Sequence, residues 1–113
     1  MITTRTYGEI LYLSNSNGEK IKVLNEWIND YITWLNKANS SESRGNPFFS
    51  LSSLYQRLGD DEKELETLNL WLKHANDIPD KVEVASLIVR NYIRKRQWEK
   101  VYSMTQSMFI YAK

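Results

Sequence analysis

Cysteine is absent from this chain of 113 residues. That excludes disulfides, a thiolate nucleophile and cysteine-ligated zinc, and it fits a reducing, cytoplasmic setting. Histidine occurs once, at His74, so neither a histidine metal cluster nor a histidine–cysteine dyad can be assembled. Glycine is confined to positions 8, 18, 45 and 59, too scattered for a phosphate-cradling loop. No uncharged apolar run approaches the roughly 20 residues that a membrane span requires. Residues 1 to 5 lack the apolar core of a signal peptide. Asp60, Asp61, Glu62 and Glu64 cluster in sequence, but at a helix start capping accounts for them better than acid–base chemistry. The chain therefore reads as a non-enzyme with no cofactor and no metal.

At this length one domain is expected, with roughly two-thirds of the unfolded surface buried. The net charge is +1, which argues against a generic polyanion binder. The charge is unevenly spread. Residues 47 to 80 carry seven acids against three bases, residues 81 to 113 carry seven bases against two acids, and the first 46 residues balance at five and five. Solvated helix faces account for this simply. Alternatively, the acidic middle and the basic end attract each other head to tail in a homo-oligomer.

Apolar residues recur with a period near 3.6, so the chain reads as all-helical. The first helix is expected over Thr4–Leu13, with Gly8 inside it at a cost of about 1 kcal/mol relative to alanine. Ser16 and Glu19 form a capping box for a second helix from Asn17 to Lys37. Its inward stripe is Ile21, Leu24, Ile28, Ile32 and Leu35, widened by Trp27, Tyr31 and Trp34. The polar stretch from Ala38 to Asn46 reads as a loop. Asn46 caps and Pro47 opens a third helix to Leu58, with Phe48, Leu51, Leu54, Tyr55 and Leu58 inward. Gly59 supplies a left-handed stop and Asp60 caps a fourth helix to Ala75. That helix turns Leu65, Leu68, Leu72 and Ala75 to the core, with Trp71 beside them. Asp80 with Glu83 is expected to cap a fifth helix to Arg94, using Val82, Ala85, Ile88, Val89 and Tyr92. After a glycine-free turn, a sixth helix carries Trp98, Val101, Thr105, Met108 and Ala112 on one face, adjoined by Tyr102 and Phe109.

The helices pair as hairpins over residues 4–37, 47–75 and 80–112. Tyr12, Tyr55 and Tyr92 fall at equivalent places, and Ile21, Glu64 and Val101 each follow nine residues later. This pattern resembles the tetratricopeptide repeat family. The central unit carries the likeness through Phe48, Leu51, Ser52, Tyr55, Gly59, Asp60, Leu68 and Trp71. The third unit carries it through Ala85, Ile88, Tyr92, Trp98, Val101 and Met108. Glu64 stands where the family places alanine, Trp71 is larger than the usual small residue, and Arg96 replaces the turn glycine. The tyrosine offsets are 43 and 37 residues, against a family period of about 34. The resemblance implies three hairpins stacked as a short α-solenoid; an irregular six-helix bundle is the alternative.

A solenoid of this kind is expected to bind other proteins. By the family's pattern a partner-binding groove would be lined by Phe49, Ser53, Gln56 and Arg57 from the second unit and by Ser86, Arg90 and Arg94 from the third. Such a cationic groove suits an acidic peptide or helix, because arginine matches carboxylates bidentately. Exposed helix positions filled with soluble residues would look the same. The chain ends in Met104, Met108, Phe109, Ile110, Tyr111 and Ala112 without a polar capping helix. Met104, Met108, Phe109 and Tyr111 are thus a candidate contact surface, in a homodimer or for a partner helix. The expected function is that of a small adaptor, chaperone-like subunit or inhibitor. A homo-oligomeric structural protein is the second reading. A nucleic-acid-binding accessory factor using Arg90, Arg94, Lys95, Arg96 and Lys100 is a weaker third.

Overall fold

The computed structural model describes residues 4–38, 46–75 and 77–112, with the side chains of 4–6, 8, 34–38 and 111–112 outside that description. The segment 39–45, most of the expected loop, also lies outside it, as do the side chains of Trp34, Leu35, Tyr111 and Ala112. Six α-helices account for nearly all of the described residues: α1 (Thr4–Leu13), α2 (Asn17–Ala38), α3 (Pro47–Leu58), α4 (Asp61–His74), α5 (Ile78–Arg94) and α6 (Trp98–Ala112). The all-α expectation holds. None of these helices is long and apolar enough to cross a membrane.

The helix starts follow from local chemistry. The Asn46 side chain accepts from the Phe48 N–H at 2.8 Å, with Pro47 in the first turn, where a missing donor costs nothing. Asp60 accepts from the Lys63 N–H at 3.1 Å, and Ser16 from the Glu19 N–H at 3.2 Å. The start of α5 differs from expectation. Its cap is Asp77, which accepts from the Asp80 N–H at 2.9 Å, and Pro79 lies within the first turn. Proline there opens the helix rather than breaking the chain before it. Asp80 is thereby freed from capping and turns inward, accepting from the Trp71 indole N–H at 3.4 Å.

Substantial packing among the described residues joins only helices that are consecutive in the chain. The molecule measures 40 × 33 × 16 Å along its principal axes. Helices packed about 8–10 Å apart fill such a thickness with two layers. The core runs along the slab through Tyr7, Leu24, Trp27, Ile28, Phe48, Leu51, Leu54, Leu68, Trp71, Val84 and Ile88. Tyr7 pins α1 to α2: its ring stacks on Trp27 at 5.7 Å and its hydroxyl donates to Asp30. Burial, and then that bond and the Asp30 and Glu26 charges, push the hydroxyl pKa up to about 12. Two inward assignments fail. Leu58 is exposed at the last turn of α3, and Trp98 is exposed at the first turn of α6. Each sits at a helix end beside a turn, where the neighbouring helix no longer covers it.

The turns after α3 and α5 are closed alike. Gly59 N–H bonds to the Gln56 carbonyl at 3.1 Å and Asp60 N–H to that of Tyr55 at 2.9 Å. Thirty-seven residues later, Arg96 N–H bonds to the Ile93 carbonyl at 3.0 Å and Gln97 N–H to that of Tyr92 at 2.9 Å. This double bond is the Schellman pattern, which puts its central residue in the left-handed region. Gly59 takes φ 77° and Arg96 takes φ 57°. A side chain pays for that conformation and glycine does not, so Arg96→Gly should stabilise the fold by about 1 kcal/mol, raising Tm by a few degrees in thermal circular dichroism. Gly59→Ala should lower it.

Burial raises the Asp80 carboxyl pKa above its ordinary value of 3.8, reinforced by Asp77 and Glu83 and partly offset by the Trp71 N–H. The folded state then holds this proton more tightly than the unfolded chain. The contribution to stability is complete below 3.8 and is lost as pH rises through the raised folded value. Asp80→Asn should remove this part of the decline in stability from acid to neutral pH, measured by urea titration across that range.

Candidate functional site

The joint between α4 and α5 is built around a buried carboxylate. Glu64 is 4 % exposed. It accepts from the Asn91 amide at 2.8 Å and pairs with the Arg94 guanidinium. The Asn91 amide also donates to the Asp61 carbonyl at 2.9 Å, and Arg94 Nε lies 3.6 Å from the Asp61 carboxylate. Asn91 is wholly buried. A charge is tolerable at such a depth only when paired and hydrogen-bonded. Glu64 thus keeps its place in the interior because α5 presents Asn91 and Arg94, one helical turn apart, directly to it.

This joint changes the reading of the cationic groove. Arg94, expected to line it, is held by Glu64 and Asp61. Phe49 remains about half exposed, with its ring edge-on to Trp71 at 6.4 Å. Ser53 is half-buried, and Gln56 and Arg57 are exposed with Phe49 on the outer side of α3. Ser86 is half-buried and bonds back to the Glu83 carbonyl at 2.7 Å. Arg90 is exposed on α5. α3 and α5 share no substantial packing, so the two sets of residues sit on separate ridges instead of meeting in one cleft.

Among the described residues, open cavities lie elsewhere. One of about 630 Å³ lies where the two Schellman turns approach, lined by Leu58, Gly59, Asp60, Asp61, Glu62, Lys95 and Gln97. Another, of about 360 Å³, lies between α5 and α6, lined by Tyr92, Glu99, Lys100, Ser103, Met104 and Ser107. Lys100 sits over the Tyr92 ring at 5.7 Å. Two members of the basic cluster are thereby engaged within the chain, Arg94 with carboxylates and Lys100 on an aromatic face. The acidic middle and the basic end meet inside one molecule, at the α4–α5 joint.

The C-terminal surface is also redistributed. Met104 packs against the core and Met108 is half-buried, so both face inward. Phe109 is exposed as expected, at 68 %. Tyr111 lies outside the described side chains. Trp98 and Tyr102, read from sequence as facing or adjoining the core, are exposed at 61 % and 66 %, and Ile110 at 70 %. Trp98, Tyr102 and Phe109 form one outward stripe along α6. The 4-3-4 spacing of Trp98, Tyr102, Thr105 and Phe109 would have revealed it, but that spacing does not say which flank the core takes.

No protein-family model, curated protein or solved structure matches this chain.

Removing the buried carboxylate takes one partner from Asn91 and one from Arg94, leaving each only its contact with Asp61. Glu64→Ala should cost about 2–3 kcal/mol, the range for lost bonds to a charged group, and toward the low end because the Arg94 side chain is 35 % exposed. Urea denaturation of the variant measures it, and Glu64→Gln should recover about half by keeping the Asn91 contact.

Proposed function

We propose that this chain is a protein–protein interaction module, a small adaptor, chaperone-like subunit or inhibitor working in the cytoplasm. The observation that carries the reading is the state of α6. Its partner-free flank shows Trp98, Tyr102 and Phe109 to solvent, each about two-thirds exposed. Aromatic residues gathered on one solvent-facing stripe are characteristic of contact surfaces. The ridge of Phe49, Gln56 and Arg57 on α3, with Arg90 on α5, offers a second, more polar surface to an acidic segment. A tetratricopeptide-like stacking is supported by the repeated turn at an offset of 37 residues and by packing confined to consecutive helices.

The nucleic-acid reading draws little support from the geometry, because Arg94 and Lys100 already face groups of the chain itself. Homo-oligomerisation gains support from the pattern along α6.

A photoreactive amino acid at Phe109 should trap a protein adduct in cells under ultraviolet light. The same group at Lys73, on the exposed polar side of α4, should trap none. A folded Phe109 variant that yields no adduct would remove the reading.

A further inference from the structure

The offset of 37 residues lets α6 be compared with α4 position by position. In α4, Glu64, Thr67, Leu68 and Trp71 are all buried. Their counterparts in α6 are Val101, Met104, Thr105 and Met108, and all four are only half-buried. The difference has a simple cause. α4 is covered by α3 on one side and α5 on the other, whereas α6 packs substantially on α5 alone among the described residues. Among the described residues no helix covers the second flank of α6 as α5 covers that of α4.

The uncovered flank has its own pattern. Trp98, Tyr102, Thr105 and Phe109 are spaced 4-3-4, the seam of one helix lying along another. An extended peptide would call for a period of 2. Two of the seam's polar atoms already have partners on their own helix. The Thr105 hydroxyl donates to the Val101 carbonyl at 2.7 Å, and the Tyr102 hydroxyl accepts from the Gln106 amide at 2.9 Å. Covering the seam keeps those two bonds, and the Trp98 indole N–H and the Tyr102 O–H, both now facing solvent, would need acceptors at its edge.

Charge and symmetry identify the occupant. The first turn of the seam carries one charge of each sign, Glu99 and Lys100, and from Val101 to Ala112 there is no charged residue, so self-pairing meets no like-charge repulsion along that stretch. The seam is also its own complement when reversed. Laid antiparallel on a copy of itself, Trp98 faces Phe109 of the other copy and Tyr102 faces Thr105, a large residue against a small one. Each aromatic side chain carries about 150–250 Å². Three of them, about two-thirds exposed, with Ile110 beside them, would bury on the order of 1,000 Å² over both copies, the size of a weak dimer just below the range of stable interfaces. We infer that α6 pairs antiparallel with α6 of a second copy, forming a closed dimer through Trp98, Tyr102, Thr105 and Phe109.

The inference rests on α6 being a contact surface, and the test separates the two. Light scattering and analytical ultracentrifugation of the full chain, from micromolar to about 100 µM, should give twice the chain mass of 13.4 kDa. Trp98→Glu and Phe109→Lys should each weaken association by about thirtyfold or more, as for a hot-spot aromatic. Helicity should persist, since both positions are largely exposed. The double variant should regain association in a salt-sensitive form, because the antiparallel register sets the new carboxylate against the new ammonium of the other copy. A monomer throughout overturns self-pairing; if the photoreactive group at Phe109 then traps a different protein, the interaction reading survives alone. Mass growing without limit, as α6 stacks on α1 of the next copy, overturns the closed dimer. A dimer untouched by both single variants, or a double variant that stays monomeric, overturns this seam and register.

Discussion

The buried pairing of Glu64 with Asn91 and Arg94 is the interaction on which the arrangement of the two halves depends. In a slab two helices thick, a central helix has few neighbours, and the α4–α5 contact is the main link between the α3–α4 hairpin and the α5–α6 hairpin. An apolar joint could slide by a residue at little cost. A carboxylate that must be met by an amide and a guanidinium cannot, because any other register leaves a charge in the interior. The joint contributes less to net stability than to the choice of one geometry, since desolvation offsets much of the attraction.

That same constraint decides which surfaces remain for function. By drawing Arg94 inward, the joint takes a cation from the outer face of α5. Lys100 sits over Tyr92, while Arg90 and Arg96 stay exposed. The aromatic flank of α6 is left uncovered. Among the described residues α6 rests substantially on α5 alone, so no second helix does for it what α5 does for α4.

The internal repeat is clearer in hydrogen bonds than in residues. Gly59 and Arg96 share no side-chain property, yet both occupy a left-handed position and close the same pair of bonds. The backbone needs a conformation there, and a residue that strains to reach it still supplies it. The missing glycine therefore weakened the likeness of the third unit to the second without altering its turn.

Local signals determined the helices. Asn46 with Pro47, Ser16 before Glu19, and Gly59 with Asp60 each satisfy orphan backbone groups within a few residues of themselves, so their effect needs no partner from elsewhere in the chain. The stripes through Leu24 and Ile28, Leu51 and Leu54, and Ala85 and Ile88 marked the core for the same reason. The burial of Glu64 and Asn91 was hidden, because a polar residue looks exposed until its partner 27 residues away is known. The start of α5 was misplaced because Asp77 and Asp80 are equally good caps in isolation, and only the Trp71 indole draws Asp80 inward. The outward turn of Trp98 and Tyr102 was hidden as well, because α6 is apolar on two flanks and only the position of α5 decides which is covered. Periodicity along one helix states that a face is apolar; which neighbour arrives to cover it is a property of the whole chain in three dimensions.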